Sequence, residues 1–375
     1  MRIAIDATII RKEITGTGFY IINLINSLRE INDSNEYYIY GNKLMLNDFI
    51  EIKEKNFHII HKSFRNRIFR VAWQFFIFPF HLKKMKIDIL HSPNYITPLL
   101  KLGFRIIVTI HDLTFFLFPQ KYTITKRLFY KFMVPIFIKM SDKIIVVSNN
   151  TKKDILSIFR LPEKKIVVTY ESYPKYYNNK KDIKVSKKVM EKYGINREFL
   201  LYVGMIEPRK NIILLLKAFT ELDEELDLEL VIVGKKGWYY REIELFLNDI
   251  KEINLKNKII FTGYVPEPEL KYFYQSAFIF VYPTFYEGFG IPPLQAMACG
   301  TPVITSNTSS LPEVVGESAI KINPNNIQEL IEAIRLLCNN SVKREELIEK
   351  GLNQVKKFSL TNIARRNLET YKSLV

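Results

Sequence analysis

Short runs of apolar, often β-branched residues alternate with longer stretches in which apolar positions recur every three or four residues, and the alternation runs from one end of the chain to the other. The short runs predict strands at 3–6, 87–91, 106–110 and 143–147, and again at 199–203, 228–233, 259–261, 278–282 and 303–305. The longer stretches predict helices, among them 20–28 and 212–222, and three further helical patterns close the chain. Strands that alternate with amphipathic helices pair in parallel and build an open sheet with helices on its faces. Between residues 173 and 181 the periodicity stops. There the chain reads Tyr-Pro-Lys-Tyr-Tyr-Asn-Asn-Lys-Lys, polar and basic, which predicts the start of a linker. The expected organisation is therefore α/β, with one Rossmann-like domain over 1–172, a linker over 173–190 and a second such domain over 191–357. A length of 375 residues with 47% hydrophobic content suits two domains, each with a sizeable core.

One stretch compresses strand, loop, helix and strand into few residues: Glu287-Gly288-Phe289-Gly290-Ile291-Pro292-Pro293-Leu294-Gln295-Ala296-Met297-Ala298-Cys299-Gly300-Thr301-Pro302. Gly288 and Gly290 supply a loop that can approach a ligand, Pro292 and Pro293 suit a first helical turn, and Gly300 with Pro302 stops the helix. Such a helix turns its amino end toward the loop, where backbone N–H groups and the helix dipole suit a phosphate or a sugar oxygen. Glu287 is poorly placed for phosphate but well placed to hydrogen-bond a sugar hydroxyl. Earlier, the strand at 199–203 runs into Gly204-Met205-Ile206-Glu207-Pro208-Arg209-Lys210-Asn211. Two cations before a helix oppose its dipole, so Arg209 and Lys210 point to an anionic ligand; a departing diphosphate gains negative charge that fixed cations stabilise without a metal. His111 and Asp112 follow the strand at 106–110, at the carboxyl edge where open α/β sheets bind ligands. Asp112 is expected to hold His111 or to cap the next turn. The run His91-Ser92-Pro93-Asn94-Tyr95 follows another strand and is read as lining the same side, and Gly16 and Gly18 form a glycine pair after the first strand. No Gly-x-Ser-x-Gly nucleophile elbow is present.

Taken together, Glu-Gly-Phe-Gly-Ile-Pro-Pro, then Ala-Met-Ala-Cys-Gly-Thr-Pro-Val, and the earlier Gly204 to Lys210 segment resemble the signature of the family-4 retaining glycosyltransferases, over nearly the whole chain. That resemblance implies a GT-B fold, in which two Rossmann-like domains face each other across a cleft and a C-terminal helix, about 358–375, packs back on the first. It implies a hexosyl transfer from a nucleotide-sugar, GDP-mannose first and a UDP-sugar next, to a hydroxyl of a saccharide or lipid-linked saccharide in surface polysaccharide synthesis, with retention. The nucleotide-sugar is a substrate; no cofactor is implied, and no metal, since no Asp-x-Asp triplet ends a strand. Carried over residue by residue, His111, Glu287, Arg209 and Lys210 take the catalytic roles. Gly16, Gly18, Gly204, Gly234, Tyr264, Gly288, Phe289, Gly290, Ile291 and Gln295 surround the donor. Asp112, Asn94 and Tyr95 fall on the acceptor side. The family has a second glutamate where this chain has Gln295, which puts the usual ribose contact in question.

Charge adds a partner. The net charge is +16, and residues 1–200 hold 35 Lys and Arg against 17 Asp and Glu while the remainder holds 20 against 22, so all of the excess lies in the first half. Segments 62–86 and 126–133 mix cations with aromatics, which fits an anionic membrane surface or a nucleic-acid groove, or else helices buried on their aromatic side. No recognised nucleic-acid-binding motif accompanies them, so no nucleic acid is expected. Two cysteines match no metal spacing or disulfide framework, no signal peptide is read at the amino terminus, and no apolar run is long enough to span a bilayer. The expectation is a cytoplasmic protein, peripheral on the inner face of the membrane. The rival readings are a nucleotide-sugar-binding scaffold that has lost turnover, with Gln295 as its hint, and a nucleic-acid-binding protein.

Overall fold

The structure is a computed structural model that describes residues 1–11, 16–31, 33–50, 52–223, 225–237, 240–250 and 252–375. Thr15, in the first glycine loop, and Trp238, near the expected base site, lie outside the described residues. The chain forms two compact units, Met1–Ser172 with Phe358–Val375, and Tyr173–Lys357.

The first unit contains β1 (Arg2–Asp6), β2 (Glu36–Gly41), β3 (Phe57–His61), β4 (Ile89–Ser92), β5 (Arg105–Ile110), β6 (Lys143–Val146) and β7 (Ile166–Val168). They pair in parallel in the order β3-β2-β1-β4-β5-β6-β7. Central strands are apolar on both faces because helices cover both: Ile3, Ala4 and Ile5 of β1, and Ile106, Ile107 and Val108 of β5, have no exposed surface. The second unit contains β8 (Phe199–Val203), β9 (Glu229–Val233), β10 (Ile259–Gly263), β11 (Ile279–Tyr282), β12 (Val303–Ser306) and β13 (Ile320–Ile322), parallel in the order β10-β9-β8-β11-β12-β13. In each sheet the order reverses once, between β1 and β4 in the first and between β8 and β11 in the second. Loops leaving neighbouring strands diverge there and open a crevice at the carboxyl edge.

Sequence periodicity did not predict β2, β3, β7 or β13. β7 and β13 are edge strands of only three residues, and β3 is an edge strand carrying His58 and His61, so none shows the long continuous apolar run of a strand covered on both faces. The stretch at 173–181 is no free tether. Gln275 Nε2 donates to the carbonyls of Asn178 (2.6 Å) and Lys180 (3.0 Å), and the hydroxyls of Tyr176 and Tyr177 both donate to Glu267 Oε1. A polar sequence without periodicity is here an ordered strap on the second unit.

The helix Leu360–Lys372 packs against the helix Gly16–Arg29. Its Tyr371 hydroxyl lies 2.7 Å from His91 Nδ1, and His91 Nε2 lies 2.8 Å from Thr109 Oγ1. His91 and Ser92 are wholly buried, so they do not line a ligand surface as expected. Burial, with the nearby His111, holds the His91 imidazole down at about 3, neutral at any physiological pH.

Candidate functional site

At the reversal of the second sheet, the loops after β8 and β11 bring the sequence-read chemistry together. After β8 the chain makes a single 3-10 turn, Pro208–Lys210, and then places Asn211 in the left-handed region at φ 56°, where its Nδ2 donates to the Pro324 carbonyl. That turn folds Lys210 inward until it is 8% exposed. Its ammonium donates to the Tyr282 hydroxyl at 2.6 Å and to Glu287 Oε1. Arg209 lies 3.1 Å from the same carboxylate oxygen, donates to the Tyr286 carbonyl and reaches Glu207 at 2.6 Å. The hydroxyls of Tyr282 and Thr284 also donate to Glu287 Oε1, at 3.1 and 3.2 Å. All these donors converge on Oε1, and among the described residues Oε2 takes none. One oxygen is thus fixed by the protein.

Burial alone would push the Glu287 carboxyl up. The charges of Arg209 and Lys210, with the hydrogen bonds from Lys210 and Tyr282, outweigh it and hold the carboxyl at about 2. Burial pushes Lys210 below the usual lysine range, with Arg209 adding to the effect and Glu287 opposing it.

The glycines act on the backbone. A Cβ on Gly234 would stand 1.9 Å from the Gly204 carbonyl oxygen, because the ends of β8, β9 and β10 close on one another through Gly204 N–Val233 O and Gly234 N–Gly263 O, both 2.9 Å. Gly290, at φ 116°, is the cap of the helix Ile291–Ala298, and a Cβ there would meet Leu311 at 2.8 Å. The expected fan of N–H groups at this helix is thinner than the sequence reading assumed, because Pro292 and Pro293 have no amide proton and Ile291 alone donates from its first three residues. Gly288 and Phe289 are buried; Ser309 Oγ accepts from Glu287 N, and Ser310 Oγ donates to the carbonyls of Glu287 and Phe289, clamping the loop. Gln295 is 7% exposed, and its Oε1 accepts from the Tyr274 hydroxyl at 3.1 Å. Tyr264 is exposed after β10, with the Lys235 ammonium over its ring.

In the first unit, His111 follows β5 and lies edge-on to Tyr20, 4.8 Å between ring centroids. Its Nδ1 is 3.0 Å from Glu171 Oε1 and its Nε2 is 3.0 Å from the Pro93 carbonyl oxygen. Two acceptors on two ring nitrogens require both to carry protons. Burial would lower the pKa, but the bond to Glu171 and its charge outweigh it and raise the imidazole above its ordinary value. The residue that holds His111 is therefore Glu171 and not Asp112. Asp112 caps the next turn instead, accepting from Thr114 N and Oγ1, while the Tyr95 hydroxyl bonds to its backbone. Asn94 is 3% exposed and its Oδ1 accepts from Ile96 N. Gly16 and Gly18 form the first turn of the helix Gly16–Arg29.

Sequence reasoning missed Glu171, Tyr282 and Thr284. Glu171 carried a usable signal, an acid three residues past an apolar run at a sheet's carboxyl edge; Tyr282 was read only as the end of a buried strand.

Two parallel open sheets, each with a polar crevice at its reversal, are the architecture of the GT-B glycosyltransferases. HepE from Anabaena in complex with UDP-glucose superposes on the chain with a TM-score of 0.77 at 15% identity, covering 100% of both chains. The chain belongs to glycosyltransferase family 4: residues 14–172 match Glycosyltransferase Family 4, and residues 185–354 match Glycosyl transferases group 1. It is 29% identical to O-antigen chain mannosyltransferase B of Escherichia coli, covering 100% of both. It is also 30% identical over 256 residues to O-antigen chain mannosyltransferase RfbU of Salmonella typhimurium, over 68% of this chain and 66% of that relative.

Proposed function

We propose that the chain transfers a mannosyl group from GDP-mannose to a hydroxyl of a saccharide or lipid-linked saccharide in surface polysaccharide synthesis, with retention and without a metal. The observation that carries this reading is the buried Arg209–Lys210–Glu287 cluster at the reversal of the second sheet. Its two cations are placed to take up the charge of a departing diphosphate, and the second oxygen of Glu287 to hold the sugar. Mannose is favoured by the two O-antigen chain mannosyltransferases that the chain resembles, and retention by the family. The test is a thermal-shift series with nucleotide-sugars followed by a transfer assay in EDTA. GDP-mannose is expected to raise the melting temperature most and to be turned over with chelator present. A preference for UDP-sugars would move the donor assignment, and activity lost in EDTA but restored by Mn²⁺ would overturn the metal-free site.

The same reading places the protein on the cytoplasmic face of an anionic membrane. No helix among the described residues is long and apolar enough to cross a bilayer. The aromatic-basic segments divide: Trp73 and Phe78 are buried in the core, while Ile68, Phe69, Phe76, Ile77 and Phe80 are exposed beside Lys83, Lys84 and Lys86. The helix Ile124–Met140 likewise exposes Ile124, Leu128 and Phe132 with Lys126, Arg127 and Lys131. Apolar side chains ringed by cations suit a headgroup boundary. Sedimentation with anionic vesicles at low salt, reversed as salt rises, is the expected result. Equal partition onto neutral vesicles, or none onto either, would remove the membrane from the proposal.

A further inference from the structure

The reversal point of the first sheet, between β1 and β4, opens into a cavity of about 940 Å³. Its walls come from the segments that follow β1, β3 and β4 and from the first turn of the helix Gly16–Arg29. Arg11, Lys62, Arg65, Arg67 and Arg70 all line it, and among the described residues no Asp or Glu does. The space is on the scale of a small-molecule pocket, about 300–1,000 Å³, and much larger than one ion requires.

Arg11 and Arg65 are exposed, and Lys62 and Arg67 half-buried, so water can solvate them. Arg70 differs. It is 8% exposed, and its Nη1 has no hydrogen-bond partner. Asn94, 3% exposed on the opposite side of the reversal, likewise has no partner for its Nδ2. A buried donor left unmade costs about 1–3 kcal/mol, and more when charged. Two such donors, on residues that line one cavity, call for acceptors that the protein does not supply. Burial and the like charges of Arg67 and Arg11 push the Arg70 pKa down, and Asp6 opposes them. Asp6 is itself committed, accepting from Gln74 Nε2 and from Thr8. The cluster is short of negative charge.

We propose that this cavity binds the phosphoryl group of a phosphate- or diphosphate-bearing acceptor, with Arg70 and Asn94 as its buried donors. The assignment to an acceptor rests on the glycosyltransferase reading above, in which the donor diphosphate belongs to Arg209 and Lys210 of the second unit. A planar guanidinium bonds two phosphate oxygens at once, and the amide adds a third donor without charge. The helix that carries Arg70 also exposes Ile68 and Phe69, and Arg67 Nη2 donates to Tyr130 Oη on the helix Ile124–Met140. A lipid diphosphate could therefore keep its tail at the apolar surface and its charge in the cavity. A sugar phosphate offers the same phosphoryl chemistry.

The test is calorimetric titration of the full chain with inorganic pyrophosphate in saturating GDP or UDP, whichever raises the melting temperature more. Pyrophosphate is expected to bind beside the nucleotide. Arg70→Met should weaken it by roughly 10- to 100-fold, the range for a hydrogen bond to a charged group, with Arg70→Lys between. Asn94→Asp should weaken it as well, by repulsion. If Arg70→Met fails to melt cooperatively, Arg65→Glu on the exposed rim serves in its place, with a loss of several-fold. Farnesyl diphosphate binding more tightly than glucose 6-phosphate would identify a lipid-borne phosphoryl group, and the reverse order a sugar phosphate; either supports the site. Pyrophosphate held equally by wild type and variants, displaced in full by the nucleotide, or not bound at all would overturn it. Donor hydrolysis by the wild type reports on the transfer reaction independently, so failure of the cavity and failure of the enzyme reading are told apart.

Discussion

Replacing Glu287 with alanine is expected to destabilise the second unit by about 3–5 kcal/mol, the range for removing one partner of a buried ion pair. The loss is large because Lys210 is 8% exposed and would keep its charge with no carboxylate beside it, while Tyr282 and Thr284 lose their acceptor. Removing Lys210 as well, in Glu287→Ala with Lys210→Met, should return part of that stability, since an uncompensated buried charge is then gone. The pH dependence has a defined sign. The Glu287 carboxyl lies at about 2 in the folded state against an ordinary 4.5. Its contribution is therefore present above pH 4.5 and is lost as the pH falls through 2. A depression of that size corresponds to roughly 3 kcal/mol. Urea titrations of wild type and Glu287→Ala between pH 7 and pH 3 measure it, and the gap between them should narrow toward acid. Equal midpoints at pH 7 would mean that the cluster is solvated and that the carboxylate does not anchor it.

Arg209→Met is expected to lower the turnover of the donor by roughly 10²- to 10³-fold, by analogy with losing one preorganised electrostatic group. Arg209 reaches the Tyr286 carbonyl, Glu207 and Glu287, so its planar fork is held in place before any ligand arrives. Arg209→Lys should recover little, because an ammonium cannot hold that geometry and offer two parallel donors. Steady-state kinetics with the donor identified by thermal shift decide it; a rise in KM with kcat unchanged would demote Arg209 to ground-state binding. Gln295→Glu is the contrasting case. Its side-chain oxygen already accepts from Tyr274, and a carboxylate keeps that acceptor, so donor affinity should change by about 1 kcal/mol or less. A wild type that is inert toward every donor, with turnover appearing in Gln295→Glu, would make the chain a lapsed enzyme.

How far the sequence could be read depended on where the information was stored. β8 was read to the residue, and β1, β5, β6, β9, β11 and β12 to within one or two, because strands covered on both faces are written as continuous apolar runs. The edges β3, β7 and β13 were invisible because β7 and β13 are only three residues long and His58 and His61 break the apolar pattern of β3. In the site, Arg209, Lys210 and Glu287 were legible from their place after strands. What could not be read was pairing at long range. Nothing near His111 announces Glu171, 60 residues on, and the adjacent Asp112 was the more obvious partner. The same holds for Lys210 and Tyr282, 72 residues apart, whose contact exists because β8 and β11 lie side by side. The aromatics of 62–86 were ambiguous for a different reason: one amphipathic stretch sends Trp73 and Phe78 inward and Phe69 and Phe76 outward.

The first unit is discontinuous, made of residues 1–172 and 358–375, and that orders events on the ribosome. Domains generally fold as units, amino-terminal first, during synthesis. Here the second unit is contiguous and can close as soon as Lys357 has emerged. The first, although all seven strands of its sheet are made before the second begins, must wait for the helix Leu360–Lys372. Until then the Tyr371 hydroxyl is missing from His91, and Phe358 O has not yet met the Ser172 hydroxyl. The nascent protein therefore carries a cation-rich first unit that still lacks its last helix while the second unit is already formed. A fragment ending at Ser172 would stop in that state and is not the first unit in miniature.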